Sequence, residues 1–166
     1  MVRKPGRMYR EVKGKAYTRK EYMGGIPNPR IVQFEMGNPD AEFPLTLRLV
    51  AEETCQVRHN ALESARIAAN RFIAKRAGQQ YHLKIKPYPH HVLRENKVAV
   101  GAGADRISDG MRAAFGTPVG TAARVSAGQT VMFIRTTEAN LEAAKTALRK
   151  AAYKLPTPCR IVVEEE

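Results

Sequence analysis

The first 34 residues cannot supply a hydrophobic core, and that confines whatever packs to the rest of the chain. Nine cations (Arg3, Lys4, Arg7, Arg10, Lys13, Lys15, Arg19, Lys20 and Arg30) stand there against Glu11 and Glu21, a net +7. Apolar residues are too sparse to form a face, and Gly6, Gly14, Gly24, Gly25 and Pro27-Asn28-Pro29 break the segment. Tyr9, Tyr17 and Tyr22 sit between the cations. Such a stretch is expected to take its shape from a ligand, with Lys and Arg neutralising phosphates and the tyrosines stacking or hydrogen-bonding. The expected organisation is a basic arm over 1–34 and one domain over 35–166.

Charge along the remainder is uneven. Residues 35–56 carry −4, residues 57–116 another +7 and residues 117–166 only +2, which completes the +12 of the 166-residue chain. A pI near 10.0 calls for an anionic partner, nucleic acid first. Apolar runs as short as Val98-Ala99-Val100 span no membrane, and no apolar stretch follows the basic start as a secretory signal requires. Two cysteines, Cys55 and Cys159, give no disulfide framework, as suits a reducing compartment.

Periodicity describes the body. Leu45, Leu47 and Leu49 alternate with Thr46, Arg48 and Val50, which predicts a strand with one buried face. Residues 60–77 predict a helix with the stripe Leu62, Ala65, Ala69, Phe72 and Ile73. Asn60 is its expected cap, with Glu63 reaching back, and Gly78 its stop. Tyr81, Leu83 and Ile85 predict a second strand whose outer side shows Lys84 and Lys86. A hairpin is expected from 121–126 and 130–136 around Ala127-Gly128-Gln129. A helix over 138–154 follows, with Thr137 as cap, the stripe Leu141, Ala144, Leu148 and Ala151 or Ala152, and Pro156 beyond its end. A strand at Cys159, Ile161 and Val163 closes the body before the acidic tail. Two helices with mostly antiparallel, hairpin-connected strands make an α+β two-layer sandwich.

Residues 101–120 do not fit that frame. Five glycines and Pro118 argue against a helix or strand through them, and a structureless loop of this length inside a domain is usually functional. Its charged members are Asp105, Arg106, Asp109 and Arg112, and its larger apolar members Ile107, Met111 and Phe115. Gly101-x-Gly103 resembles the start of a dinucleotide fingerprint. Arg106 occupies the third glycine's place, however, and no Gly-Lys-Ser/Thr closes a Walker loop. Cys55 and His59, Cys159, and His82, His90 and His91 form no zinc pattern, and no nucleophile–base set emerges. Neither a cofactor, nor a metal, nor an enzyme is expected.

Several runs carry a family resemblance. They are Arg3-Lys4-Pro5 with Tyr9-Arg10, Tyr17 and Tyr22; Gly25-Ile26-Pro27; Gln56 through Glu63 with Ala65-Arg66; and Pro89-His90 with Arg94-Glu95-Asn96-Lys97. Further on come Gly103-Ala104-Asp105-Arg106, Gly110-Met111-Arg112, Ala114-Phe115-Gly116, Gly120 through Val125, and Lys154-Leu155-Pro156. Together they resemble the universal large-subunit ribosomal protein family called number sixteen in bacteria and ten-e in archaea and eukaryotes. The end at Glu166, without the longer extension associated with eukaryotic members, favours the archaeal type.

The resemblance implies a cytoplasmic structural component of the large ribosomal subunit. It would be bound to large-subunit rRNA near the A-site side, close to the peptidyl transferase centre and 5S rRNA, among neighbouring ribosomal proteins, and not a stand-alone homo-oligomer. The arm cations from Arg3 to Lys20, together with Lys84, Lys86, Arg94 and Lys97, are the expected rRNA contacts. The loop, with Gly103, Asp105, Arg106, Met111, Arg112 and Phe115, would reach toward that centre and toward A-site tRNA. The competing expectation is a non-ribosomal RNA-binding factor, such as an RNA chaperone or translational regulator.

Overall fold

Two sheets and two helices emerge in the computed structural model, which describes residues 4–165. Strands β1 (Glu35–Gly37), β2 (Leu45–Ala51), β4 (Tyr81–Ile85), β7 (Thr130–Thr136) and β8 (Cys159–Glu165) build a five-stranded sheet in the order β1-β4-β7-β2-β8. Strands β3 (Cys55–Arg58), β5 (His91–Glu95) and β6 (Thr117–Val125) build a second, ordered β3-β6-β5. Every pairing is antiparallel. Helices α1 (His59–Ala77) and α2 (Leu141–Ala152) pack on each other and on the larger sheet, giving the expected α+β class.

The core lies between sheet and helices. Leu47, Leu49, Leu83, Ile85, Met132 and Ile134 meet Leu62, Ala65, Ala69 and Ile73 of α1 and Ala144, Ala147, Leu148 and Ala151 of α2. Small residues on facing helix positions let the two axes approach, while each buried leucine or isoleucine contributes about 2 kcal/mol of transfer free energy. Val57, Ala123 and Val125 of the smaller sheet close the same core.

Several expectations need correcting. Asn60 lies inside α1; Arg58, in extended conformation, precedes the helix without a side-chain cap, and Glu63 pairs with Arg66 one turn on (2.6 Å) instead of reaching back. Gly78 ends α1 as expected, with φ of +59°. The hairpin at 127–129 does not exist, because β6 and β7 belong to different sheets. Its turn crosses between them and is held by Ala51, whose N–H donates to the Gln129 carbonyl and whose carbonyl accepts from Gly128 N–H (3.0 and 2.8 Å). Strand β2 is buried on both faces, Thr46 and Val50 included. Residues 138–140 form a single 3-10 turn ahead of α2. The glycine-rich segment ends earlier than expected: 117–120 are strand, and Pro118 sits opposite Arg94 where the β5–β6 register shifts.

Residues 4–34 do not stand away from the body. Met23 and Ile31 are buried, Ile31 within the core, so the segment does contribute apolar anchors. Their spacing is too wide for any periodic pattern to reveal.

Candidate nucleic-acid interface

The basic segment is laid across the smaller sheet from one edge strand to the other. At β3, Gln56 N–H donates to the Arg10 carbonyl (2.8 Å), and the Gln56 side-chain amide donates to the Glu11 carbonyl (2.8 Å). Over the middle strand, the Arg124 guanidinium donates to the carbonyl of Gly14 (2.7 Å). At β5, Val92 N–H donates to the Tyr17 carbonyl (3.0 Å), and Tyr17 N–H donates to His91 Nδ1 (2.9 Å). Arg58 reaches the Lys4 carbonyl (3.1 Å), and His59 Nδ1 accepts from the Arg30 N–H (2.8 Å). The body thus binds the segment's backbone, while Arg7, Lys15, Arg19 and Lys20 keep their side chains exposed at the surface.

Two of the three tyrosines are occupied by arginines of the body. Arg58 lies 4.6 Å from the Tyr9 ring centroid. Arg94 lies 4.4 Å from the Tyr17 centroid and 4.2 Å from Phe115, and the two rings meet edge-on at 6.1 Å. That cation-aromatic cluster joins the segment, β5 and the root of the glycine loop. Tyr22 is the outward-facing one, with Arg19 5.9 Å from its ring.

The expected contact residues divide by surroundings. Arg3 lies outside the described residues. Arg7, Lys15, Arg19 and Lys20 are exposed, and Lys13 pairs with its neighbour Glu11 (2.9 Å). Lys4 pairs with Glu95, which is thereby held below the usual carboxylate range, and Arg10 pairs with Glu53. Lys84 is ion-paired with Glu35 (2.9 Å), whereas Lys86 is exposed, 5.6 Å from the Phe133 ring. Lys97 is exposed beside a cavity of about 560 Å³ shared with Lys4, Arg30, Arg58 and Glu95.

A second cavity, about 430 Å³, is bordered by Lys4, Arg7, Arg10, Arg58 and Lys154, with no carboxylate in its lining. Arg58 and Lys154 were not expected at the site. Arg58 precedes the apolar stripe of α1 and Lys154 follows that of α2, where cations read as ordinary helix ends.

The loop between β5 and β6 is held by local turns: Ala104 N–H to Gly101 (3.2 Å), Arg106 N–H to Gly103 (3.1 Å), Arg112 N–H to Asp109 (3.1 Å), and Ala99 N–H to the Ser108 hydroxyl (3.1 Å). Gly103 has φ of +81°. Asp105, Arg106 and Arg112 are exposed, and so are Val100, Ile107 and Met111; Phe115, held on one side by Arg94 and Tyr17, is largely exposed as well. At the root, a Cβ on Gly116 would lie 2.8 Å from Glu95 N, so only glycine lets the two strands close there.

Reactive chemistry is missing from this surface. Burial raises the Cys55 thiol, and burial with Cys55 and Glu52 nearby pushes Cys159 up to about 11, so both stay protonated. Among the described residues, no cluster of three or more His, Cys, Asp or Glu could hold a metal ion, and no helix is long and apolar enough to cross a membrane.

Fold and surface together define an α+β protein with exposed cations and exposed apolar side chains on the face that carries its basic segment. The ribosomal protein L16p/L10e family profile matches residues 12–162. A large ribosomal subunit protein uL16 of Thermoplasma acidophilum is 62% identical over 98% of this chain and 93% of its own length. Its counterpart from Methanocella arvoryzae is 59% identical, covering 99% and 96%, and that from Archaeoglobus fulgidus 55%, covering 99% and 95%. The chain belongs to the L16p/L10e family of ribosomal proteins, structural constituents of the large subunit rather than enzymes.

Proposed function

We propose that this protein is a cytoplasmic component of the large ribosomal subunit that binds large-subunit rRNA near the A-site side and the peptidyl transferase centre. In this reading residues 1–34 are the rRNA-binding arm. The loop reaches toward A-site tRNA and helps to position it, and 5S rRNA and neighbouring ribosomal proteins lie close by. The observation that carries it is the cavity where Lys4, Arg7, Arg10, Arg58 and Lys154 converge, with Arg7 and Lys154 in no ion pair among the described residues, set beside an arm whose backbone is already fastened. Packed rRNA needs fixed cations between its phosphates, and Arg supplies a planar fork that pairs with phosphate and stacks on bases. Pre-ordering the arm lowers the entropy lost on binding. The uncovered apolar side chains of the loop support a second contact, because water-exposed Ile107, Met111 and Phe115 gain by burial.

Large subunits washed in high salt test the assignment. The protein is expected to stay in the particle, and a cryo-electron map should place the loop beside the acceptor arm of A-site tRNA. Loss of the protein in the wash would instead identify a free RNA-binding factor. If roughly eight phosphates are neutralised, log K should fall with log salt at a slope of about −6 to −7. Deleting residues 1–30 should flatten that slope and remove about 100-fold or more of the affinity for purified large-subunit rRNA.

A further inference from the structure

A groove opens between α1 and α2, on residues that, Lys154 apart, lie outside the arm cavity. It encloses about 480 Å³ over a floor of Ala68 and is lined by Arg71, Phe72, Lys75, Lys150, Tyr153 and Lys154. The residues come from one face of each helix: 68, 71, 72 and 75 on α1, and 150, 153 and 154 at the end of α2. Lys150 Nζ stands 3.8 Å from the Phe72 ring centroid, and Arg76 lies 5.9 Å away. Tyr153 is 77% exposed, an aromatic face turned to solvent at the rim.

The surrounding charge is of one sign. No acidic residue occurs between Ser64 and Arg94 or between Ala143 and Val163, so neither helix brings a carboxylate to the groove. The only acids within the helices, Glu63 and Glu142, are occupied by Arg66 and Lys145. None of Arg71, Lys75, Lys150 and Lys154 enters an ion pair among the described residues. Lys154 also borders the arm cavity, so one cationic surface continues from the arm along α1 into the groove.

We infer that the α1–α2 groove is a second RNA-contact surface, built for an unpaired strand. A base stacks on Tyr153 over the apolar floor, while Arg71, Lys75, Lys150 and Lys154 hold its flanking phosphates. Aromatic faces framed by cations are what single-stranded nucleic acid uses, because every base has a face to stack. A rigid A-form duplex would meet the cations at the rim but could not lower a base onto the ring. An acidic peptide would use the same cations and leave Tyr153 idle. The inference takes the identity of its partner from the rRNA reading and shares Lys154 with it, but rests otherwise on different residues.

The test uses the full chain with three probes: a ten-nucleotide oligoadenylate, an RNA duplex of equal length and a polyglutamate peptide. Tyr153→Ala is expected to weaken oligoadenylate binding about tenfold, leaving duplex affinity and the salt slope unchanged. Tyr153→Phe should keep wild-type affinity, and ultraviolet cross-linking should tie oligoadenylate to Tyr153. Because Tyr153 is exposed, its replacement leaves the core untouched. Arg71→Glu with Lys150→Glu should weaken both RNAs and flatten the slope. Unchanged oligoadenylate binding by Tyr153→Ala would overturn the inference. So would polyglutamate binding that matches oligoadenylate and depends only on the cations, the mark of an acidic protein partner. Arg7→Glu with Lys15→Glu separates this groove from the arm. Full affinity in that variant defeats the arm reading alone, while loss there with no effect at Tyr153 defeats the groove alone.

Discussion

The arm and the glycine loop look alike in composition, both glycine-broken and poor in periodic apolar residues, although the arm is strongly basic and the loop's Arg106 and Arg112 are balanced by Asp105 and Asp109; yet the fold treats them oppositely. Gln56, Arg58, His91 and Arg124 reach out from the body and satisfy the arm's backbone, and Met23 and Ile31 anchor it. Between its roots at Glu95 and Gly116 the loop bonds mainly to itself. Composition reports only what a segment cannot do alone. Whether it is ordered depends on donors and acceptors elsewhere, and here those sit on the smaller sheet and at the start of α1. The arm is largely organised by the body before anything binds, whereas the loop is held mainly by its own turns.

That contrast can be broken most directly by limited trypsin digestion of the free protein. Cleavage after Arg106 and Arg112 should run about 100-fold faster than after Arg10 or Lys13, because locally held segments open at far lower cost than packed ones. Equal rates would erase the distinction. Smaller in effect is a pair of glycine substitutions. Gly116→Ala drives a methyl group into the β5 backbone and should cost about 1–3 kcal/mol in denaturant unfolding. Gly103→Ala meets open space and bears only its left-handed strain, so it should cost about 1 kcal/mol, at the low end of the range for Gly116→Ala, and change loop mobility by hydrogen exchange.

The smallest effect expected is an acid release of the arm. His91 accepts the Tyr17 N–H at Nδ1, and burial, then Arg124 and Arg94, lower its pKa below 6.5. The folded state therefore binds this proton more weakly than the unfolded chain. Its contribution is complete above pH 6.5 and is lost as pH falls toward the lower folded value. Arm amides near Tyr17 should lose exchange protection over that range while loop amides do not. In His91→Gln the pH dependence should vanish.

Local patterns were legible where one element buries one face. The α1 stripe and its stop at Gly78 could be read directly, because helix periodicity reports burial against a single neighbour. Pairing between strands could not. Ala127-Gly128-Gln129 has the chemistry of a hairpin turn, but β7 is drawn between β4 and β2 by the burial of Met132 and Ile134, a choice no local signal encodes. At the site, exposed cations such as Arg7, Lys15 and Lys86 were readable from charge alone. Arg58 and Arg124 were not, since one reads as an ordinary helix end and the other lies in a strand pattern, and they act on residues 54 and 110 positions away.

Within the larger sheet no strand lies beside its neighbour in sequence; Leu45 of β2 pairs with Thr136 on one side and Glu165 on the other. Every ladder must close a long stretch of chain before it returns any stabilisation, which places folding in the slower range, about milliseconds to seconds. During that interval a chain of net charge +12 keeps its strand edges unsealed, so edge-to-edge association between copies competes with folding until β8 has docked beside β2.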